Sequence, residues 1–532
     1  MQTTVDFEPL DIFDMLLALN PKYVDASHLS DEHTAKVNAL CFAQSDRRLY
    51  LIFADAYVFT SSDGLATLEE VREINYHADE LVPQSRQSID AVVETVDGTV
   101  LLAGRDHRRT PPSEDGYYND REVGVVWRKP RGGKSFIRSE VSDPAWKTSK
   151  VGNMTAGYFG QYHARMIALG TYGSGDAHFY YSFDDGLTWR RQSVADCFAL
   201  HVHELYLPRS VNPQREARLW ISGGDDPSGA RSGVVCFDSV QEDGSLCGLQ
   251  RVFNETPGYR VVSLSGNGKH VFIGNESLAG GVLKIQDNQE SIDGRDFEYV
   301  FGKTRHDYHQ FHALLATSDG ILVSGSSSYG YVGDNVRADS GGVLYVSNNE
   351  GATFIEILLG ARWVTSIAYD GRNLWFAATA GKEEGADVSQ ERFRIYRLLK
   401  PSPYARLVTP YVAKVLICDT SRFYEFAGYV THPQACLSPG ECTVRVDMTG
   451  HRTVVLEVET LEAGALVVEA VPFYNWRLDE NPWKDALQVT FSGAERKEIL
   501  LPETVLHNKY LRVRNAGSES ISLRLLAFIG KN

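Results

Sequence analysis

The chain has 532 residues, 43% of them hydrophobic and 11% aromatic. That is enough for a large buried core and too long for one ordinary domain. A formal charge of −16, with no strongly basic run, argues against nucleic acid or an anionic membrane surface as a partner. No stretch reaches the ~20 apolar residues of a membrane span. The seven cysteines are odd in number and have no C-x-x-C spacing, so they read as reduced, mostly buried thiols.

Residues 1–36 are a lead-in. The acidic start MQTTVDFEPLDIFDMLLALN lacks a basic n-region and a small-residue cleavage site. It is therefore not expected to be a secretory signal, and a cytoplasmic location is the default. PLDIFDMLLALN is expected to be a short amphipathic helix that covers or closes an edge of the next domain.

From residue 37 one theme returns seven times: an alternating apolar strand, a tight turn, and a second apolar strand ending in a small residue. The second strands are read at 47–56, 98–107, 165–174, 218–227, 269–278, 320–329 and 372–381. Five follow a recognisable turn: Ser45-Asp46, Asp97-Gly98, Asn267-Gly268, Asp319-Gly320 and Asp370-Gly371. Such dipeptides supply the positive φ a hairpin needs. Short-strand repeats at this spacing predict an all-β fold, a seven-bladed β-propeller over residues 37–400. Its blades begin near 37, 88, 154, 200, 259, 309 and 362. The last lacks a strand, which either residues 1–35 or the segment 404–410 would supply. Pro401, Pro403 and Pro410 mark a boundary. The alternating strands of 411–532 predict a separate β-sandwich, jelly-roll-like. Packing and homo-oligomer formation are the plain roles for that domain. Glycan binding is the sharper one, through the aromatics of FYNWRLDENPW (473–483).

Ser182 to Trp189, SFDDGLTW, matches S-x-D-x-G-x-T-W. Degenerate copies stand at 347–354, SNNEGATF, and at 60–67, TSSDGLAT. On these residues the chain resembles the sialidase-like Asp-box (BNR-repeat) propellers. The resemblance implies a structural turn, with Asp184 accepting backbone N–H bonds and Trp189 packing between strands. It does not carry sialidase chemistry. The Arg-Ile-Pro-type motif of those enzymes is absent, and they have six blades against the seven counted here. The segment HVHELYL…RLWISGGDD (201–226) is similar to the H-x-H…W-x-[ST]-x-G-D stretch of other Asp-box proteins. Seven-bladed polysaccharide lyases are similar in architecture and in their use of histidines and arginines.

Propeller ligands bind where loops of many blades converge. Aligning the first strands on their turns stacks Asp90 with His203, Arg260, His312 and, within one residue, Trp363. His201 and His309 lie just upstream of this ring. Second-strand ends add Arg105, Asp106, Tyr172, Asp225, Asp226, Glu276 and Tyr329. The ring predicts a carbohydrate-active enzyme hydrolysing an acidic or polar polysaccharide or oligosaccharide. Asp90, Asp106, His203, Asp225, Glu276 and His312 form the catalytic set. Arg105, Tyr172, His201, Arg260, His309, Tyr329 and Trp363 bind substrate. The alternative is a polysaccharide lyase. There, an arginine or metal neutralises the uronate, His203 or His312 takes the proton, and Tyr172 or Tyr329 protonates the leaving oxygen. A third reading is a non-catalytic propeller binding a glycan or a protein. His201, His203, His309 and His312 are the candidates for a divalent cation, since H-x-H on a strand puts both imidazoles on one face.

Overall fold

The computed structural model describes residues 7–10, 12–24, 37–54, 56–75, 87–109, 120–141, 143–147, 150–172, 177–210, 215–224, 231, 233–254, 261–275, 282–286, 298–301, 311, 313–325, 330–332, 335–337, 343–351, 354–358, 362–380, 393–399, 411–418, 426–427, 435–437, 439–440, 446–447, 453–472, 484–501 and 508–531. Strand dominates; the α-helices among these residues are Ile12–Leu19 and Pro144–Lys147. Contacts divide the chain into two compact units, residues 10–319 with 365–395, and residues 1–9 with 320–364 and 396–532.

In the first unit five four-stranded antiparallel sheets succeed one another. They open with Val37–Ala43, Gln87–Glu94, Lys150–Phe159, His201–Tyr206 and Val261–Gly266. Ala313–Ala316 then lies beside Val261–Gly266, and the first strands of successive sheets lie side by side. These repeated up-and-down sheets are the blades of a β-propeller domain. Each consecutive pair closes over its own apolar layer. Tyr50, Ile52, Leu102 and Trp127 fill the first interface, and Leu101, Trp146, Leu169 and Tyr180 the second. Phe179, Val202, Leu205 and Ile221 fill the third, and Tyr206, Trp220, Val271 and Ile273 the fourth. The amphipathic helix is present: Ile12 and Leu16 are buried in one cluster with Tyr23, Phe59, Trp375 and Ile395.

The strand missing from the last repeat comes from the lead-in. Arg362–Tyr369, Asn373–Ala380 and Phe393–Leu399 form a four-stranded sheet whose outer strand is Phe7–Leu10. The other expected source, 404–410, lies outside the described residues.

In the second unit, Phe354–Leu358 does not end its sheet. It pairs in parallel with Tyr411–Cys418, from Phe354↔Val412 to Leu358↔Leu416. Tyr411–Cys418 pairs in turn with Ile521–Lys531, which also pairs with Thr453–Thr460. The C-terminal strands therefore extend a sheet begun before the proline boundary. A second sheet runs Val446–Asp447, Asn508–Asn515, Gly464–Pro472, Lys484–Phe491. Leu456, Val458, Leu466, Val468, Leu511 and Val513 are buried. The largely buried pair Arg514 Nε–Glu469 Oε1, 2.7 Å, ties two strands of the second sheet.

The hairpin glycines adopt the expected left-handed backbone: φ is 85° at Gly98, 80° at Gly268, 88° at Gly320 and 93° at Gly371. In the first hairpin the positive φ falls on Arg47, 58°, beyond the Ser45-Asp46 pair. The three Asp-box-like turns share one hydrogen-bond scheme. Ser182 Oγ donates to Asp184 and accepts Gly186 N–H, and Asp184 accepts Thr188 N–H and Oγ–H at 2.9 and 2.5 Å. Ser61, Asp63, Leu65 and Thr67 repeat it. Ser347, Asn349 and Gly351 repeat its serine half. The copy at 60–67 puts a leucine where the others have glycine, and Leu65 accordingly stands at φ 69°. Its buried side chain joins the cluster around Phe59, which offsets the roughly 1–2 kcal/mol cost of that backbone.

Candidate site at the start of the first strands

The first strands share a defect that sequence patterning does not reveal. In five of them the register against the second strand slips near the start, each time leaving residues unpaired. The slip passes over Asn38, Asp90, Gly152 with Asn153, His203 and Val262. Asp90 and His203 thus occupy one structural position, as the turn alignment expects. In the fifth strand the bulge falls on Val262, two residues beyond the position that alignment on the turn glycine gives. The cause is loop length. Glu94 pairs with Val100 around a loop whose glycine is Gly98, whereas Gly266 pairs with Val271 and its glycine follows after one residue. Aligning on glycines therefore moves the fifth strand by two. The short form recurs at Asp370, whose N–H reaches Asn373 O as Asn267 N–H reaches His270 O.

Near the starts of the first strands, some carbonyls face the first strand of an adjacent sheet, and side chains reach them. Thr365 Oγ1 donates to Val37 O at 2.6 Å, Ser263 Oγ to Phe311 O at 2.5 Å, and His203 Nδ1 to Val261 O at 2.7 Å. First strands are sheet edges, and these bonds satisfy groups that would otherwise be buried unpaired. His203 thus performs the structural task of a serine or threonine, and it also has a second nitrogen. At the carbonyl of Val202, the residue alongside is Gly152, whose Cβ position would be 3.5 Å from that oxygen and 3.8 Å from Tyr172 Cβ. Having no side chain, Gly152 leaves room beside Tyr172.

Around that space the structure brings together three of the predicted residues. Tyr172, 47% exposed, lies over His201 with ring centroids 3.8 Å apart. His201 is buried, and its Nε2 is 3.0 Å from His203 Nε2. A carbonyl only accepts, so His203 carries its proton on Nδ1, and its Nε2 accepts when the ring is neutral. His201 Nε2 must then donate, which leaves Nδ1 as the acceptor atom of His201. A backbone oxygen has fixed the direction of the whole chain of hydrogen bonds. Asp90, in the second sheet, is buried and accepts Ser88 Oγ at 2.8 Å. Arg105, across from Ser88 in the register, has a buried Nε with no hydrogen-bond partner among the described residues.

Asp106 and Trp363 are placed in strands by their backbone, and nothing is described of their side chains. Asp225, Asp226, Arg260, Glu276, His309, His312 and Tyr329 lie outside the described residues. No group of three or more His, Cys, Asp or Glu side chains suited to a metal occurs among the described residues. The Nε2 atoms of His201 and His203 bond each other, so a cation held there would have to displace that contact.

Sequence reading passed over Glu204. Val202 and Leu205 belong to the core shared with the third sheet, and Tyr206 to the core shared with the fifth. Alternation places His203 on the fifth-sheet side counting from Val202. Counting back from Leu205, Glu204 takes the same side, because the extra residue makes neighbours share a face. Desolvation pushes its carboxyl up to about 8, opposed by a hydrogen bond from Leu205 N–H. The signal in the sequence was H-x-H-E itself, but without the bulge Glu204 reads as facing the other way.

At the opposite end of these strands, Glu94 joins three of the sheets. Glu94, buried in the second sheet, accepts Gln44 and Ser45 N–H from the first at 2.9 and 2.7 Å. Arg209, following the fourth first strand, reaches Glu94 at 3.6 Å. His163, in the turn between Lys150–Phe159 and Ala164–Tyr172, contacts Arg215 O at 2.8 Å.

A family model described as "DUF6242 beta propeller domain" matches residues 26–235, less than half of the chain. No curated protein matches. Among solved structures the chain is similar to YCF48 from Cyanidioschyzon merolae, with 12% identity, a TM-score of 0.42, and coverage of 70% of this chain and 97% of that one. It is similar to the RRP9 WD40 repeats at 10% identity and TM-score 0.42, covering 74% and 98%. It is also similar to the GH74 enzyme of Niastella koreensis at 10% and 0.42, covering 65% and 52%.

Proposed function

We propose that this protein binds an acidic glycan beside Tyr172 and cleaves it with the His201–His203 pair. The observation that carries the reading is the Tyr172–His201–His203 arrangement. An exposed aromatic face suits a sugar ring, and an imidazole chain anchored on Val261 O leaves a nitrogen acceptor under that face. Arg105 would hold the substrate carboxylate, as a guanidinium does best. The reaction this supports is β-elimination. The imidazole takes the proton next to the uronate carboxylate, the C–H electrons form a C=C bond, and the neighbouring C–O bond breaks as its oxygen receives a proton.

Hydrolysis by paired carboxylates is the second reading. Asp90, hydrogen-bonded by Ser88, and Glu204, desolvated, favour it as carboxyls in unlike surroundings. A seven-bladed propeller of the Asp-box kind, with the C-terminal strands forming a β-sandwich, is the architecture proposed with both. It rests on the seven first strands and the three alike turns.

A panel of uronate-containing and neutral polysaccharides separates the readings. Elimination gives an unsaturated uronate that absorbs in the ultraviolet, and hydrolysis gives new reducing ends alone. Elimination lost with His201→Ala supports the proposal. Reducing ends alone support hydrolysis. Binding with no cleavage of any kind refutes both and leaves a glycan-binding propeller.

A further inference from the structure

We propose that the end of the propeller domain opposite the candidate site docks another protein through an acidic segment. Tyr162 is the anchor of this surface, and Arg47, Arg131, Arg215, Lys269 and Arg372 are its cations. The inference is independent of the glycan reading, which concerns the starts of the first strands.

The surface is built from the turns that join first to second strands, and direct contacts tie those turns to one another. Gln44 Nε2 donates to Asp370 O at 3.5 Å, which sets the turn of Arg372 beside that of Arg47. A Cβ placed on Gly98 would be 2.8 Å from Ser45 Cβ and 3.2 Å from Arg131 Cδ, so Arg131 lies along the first and second turns. Asp97 of the second turn pairs with Arg165, just past the third, at 2.6 Å. Gly160 of the third turn exchanges backbone hydrogen bonds with Ala217. A Cβ on Gly268 would be 2.8 Å from Ser210 Oγ. Arg215 and Lys269 therefore stand on the same end as the other cations.

Charge on these turns is sorted by sign. The carboxylates are engaged within the fold. Asp46 accepts Lys129 Nζ and the Tyr50 hydroxyl, and Glu94 accepts two backbone N–H groups of the first turn. Asp370 accepts the N–H groups of Arg372 and Asn373. An acid that caps a hairpin has its oxygens turned onto the backbone, whereas a long cation at the same turn is left to solvent. The five cations are exposed, and none has an ion pair or hydrogen bond among the described residues. Against them the described turns set one free carboxylate, Glu216. This occurs in a chain whose formal charge is −16.

Tyr162, in the third turn, is 92% exposed, yet its backbone is firmly held. His163 takes a left-handed φ of 49°, and its Nε2–H donates to Arg215 O at 2.8 Å. Gly160 and Ala217 bond each other at 2.7 and 3.3 Å. A left-handed backbone is costly for a residue with a Cβ, and here it holds out an aromatic ring that adds nothing to the core. A pre-ordered tyrosine among arginines has the composition of a binding hot spot, because little conformational entropy is left to lose on contact. A uniform polyanion such as nucleic acid calls for a continuous basic stripe. Here the cations alternate with engaged carboxylates, and the tyrosine calls for an apolar or aromatic neighbour. Carboxylates spaced along a polypeptide, with an aromatic or aliphatic side chain among them, meet both requirements.

The test uses the full chain and fluorescence anisotropy with two labelled polymers, poly(Glu,Tyr) and poly-L-glutamate. Wild type should bind poly(Glu,Tyr) at least ~10-fold more tightly, and both polymers more weakly as salt rises. Tyr162→Ala should remove the preference. Arg47→Glu with Arg372→Glu, and separately Arg215→Glu with Lys269→Glu, should each weaken binding of both polymers by about tenfold or more. Melting temperatures should not change, because these side chains are exposed. The two separate pairs keep the test decisive where one variant fails to fold. Absence of binding to either polymer overturns the proposal, as does a preference that survives Tyr162→Ala. Polygalacturonate or duplex DNA binding as tightly as poly(Glu,Tyr) refutes it too, by making this a general polyanion surface. Binding that ignores the charge reversals and is lost with Tyr172→Ala places the polymer at the strand starts and also refutes it. Self-association of wild type that the charge reversals dissociate makes the occupant a second copy of this chain, which again overturns the acidic partner.

Discussion

The turn at Ser182–Thr188 and the strand at His201–Glu204 are equally dense in polar residues, yet they are built on opposite principles. In the turn every polar group has its partner, and the scheme recurs at Ser61 and Ser347. Against desolvation, the bonds from Thr188 and Ser182 hold the Asp184 carboxyl below its ordinary range. Asp185 beside it accepts Thr99 Oγ1 at 2.6 Å and Arg128 at 2.8 Å, docking the turn on the neighbouring sheet. In the strand the backbone scheme recurs, but the side chains do not. One position holds Asn38, Asp90, His203 and Val262 in turn, and the next holds Ala39, Ala91, Glu204 and Ser263. In a repeat protein, a polar group that recurs with its partners maintains the fold. A polar group that departs from the repeat has to be explained by something other than the fold.

The sharpest way to break this comparison is pH. The Glu204 carboxyl is raised from an ordinary 4.5 to about 8. The native state keeps a proton that the unfolded chain has released, so the stability it contributes is full below about 4.5 and lost as pH rises through about 8. Linkage bounds the loss at about 4–5 kcal/mol. Denaturant unfolding should find E204Q little changed at acid pH and more stable than wild type at pH 9. Equal stability at both would remove Glu204 from the argument.

Activity comes next. His201→Ala should lower glycan cleavage at least ~10²-fold, or about 2.7 kcal/mol, without unfolding the chain, because the Val261 carbonyl keeps its bond from His203. A melting temperature that falls in step with activity would make His201 a core residue.

Asp184→Ala should reverse the pattern. Losing charged hydrogen bonds should cost about 2 kcal/mol, and cleavage by the folded fraction should be unchanged. Asp63→Ala should behave alike in chemical denaturation, and a clear difference between the two would end the claim that the turns are equivalent.

The smallest effects test the capped carbonyls. Ser263→Ala and Thr365→Val should each cost about 1 kcal/mol and leave activity intact. His203→Ala should pay the same ~1 kcal/mol and lose activity as well, which separates the residue's two nitrogens by their readouts. A silent Ser263→Ala would mean that the Phe311 carbonyl needs no cap.

What the sequence determined by itself is whatever local chemistry dictates. Turn glycines fix hairpins, alternation fixes strands, and the aspartate turn carries its hydrogen bonds within seven residues. For that reason the repeated four-stranded sheets, the helix at Ile12–Leu19 and the pairing of His201 with His203 were legible before any coordinates. Three things were not. That the last repeat needs a strand was legible, but not which of residues 1–35 and 404–410 supplies it: Phe7–Leu10 joins a sheet whose other strands lie more than 350 residues away, and no local pattern encodes such pairing. Tyr411–Cys418 pairs with Phe354–Leu358 across the proline-marked boundary, because a strand's partner is chosen by available edges rather than by the prolines before it. The bulges matter most. One unpaired residue turns Glu204 to the face of His203, and a two-residue change in loop length puts Val262 in the position that Asp90 holds. Period-two reasoning counts residues along a strand, whereas register is settled between strands, by which backbone groups find partners once the sheets pack.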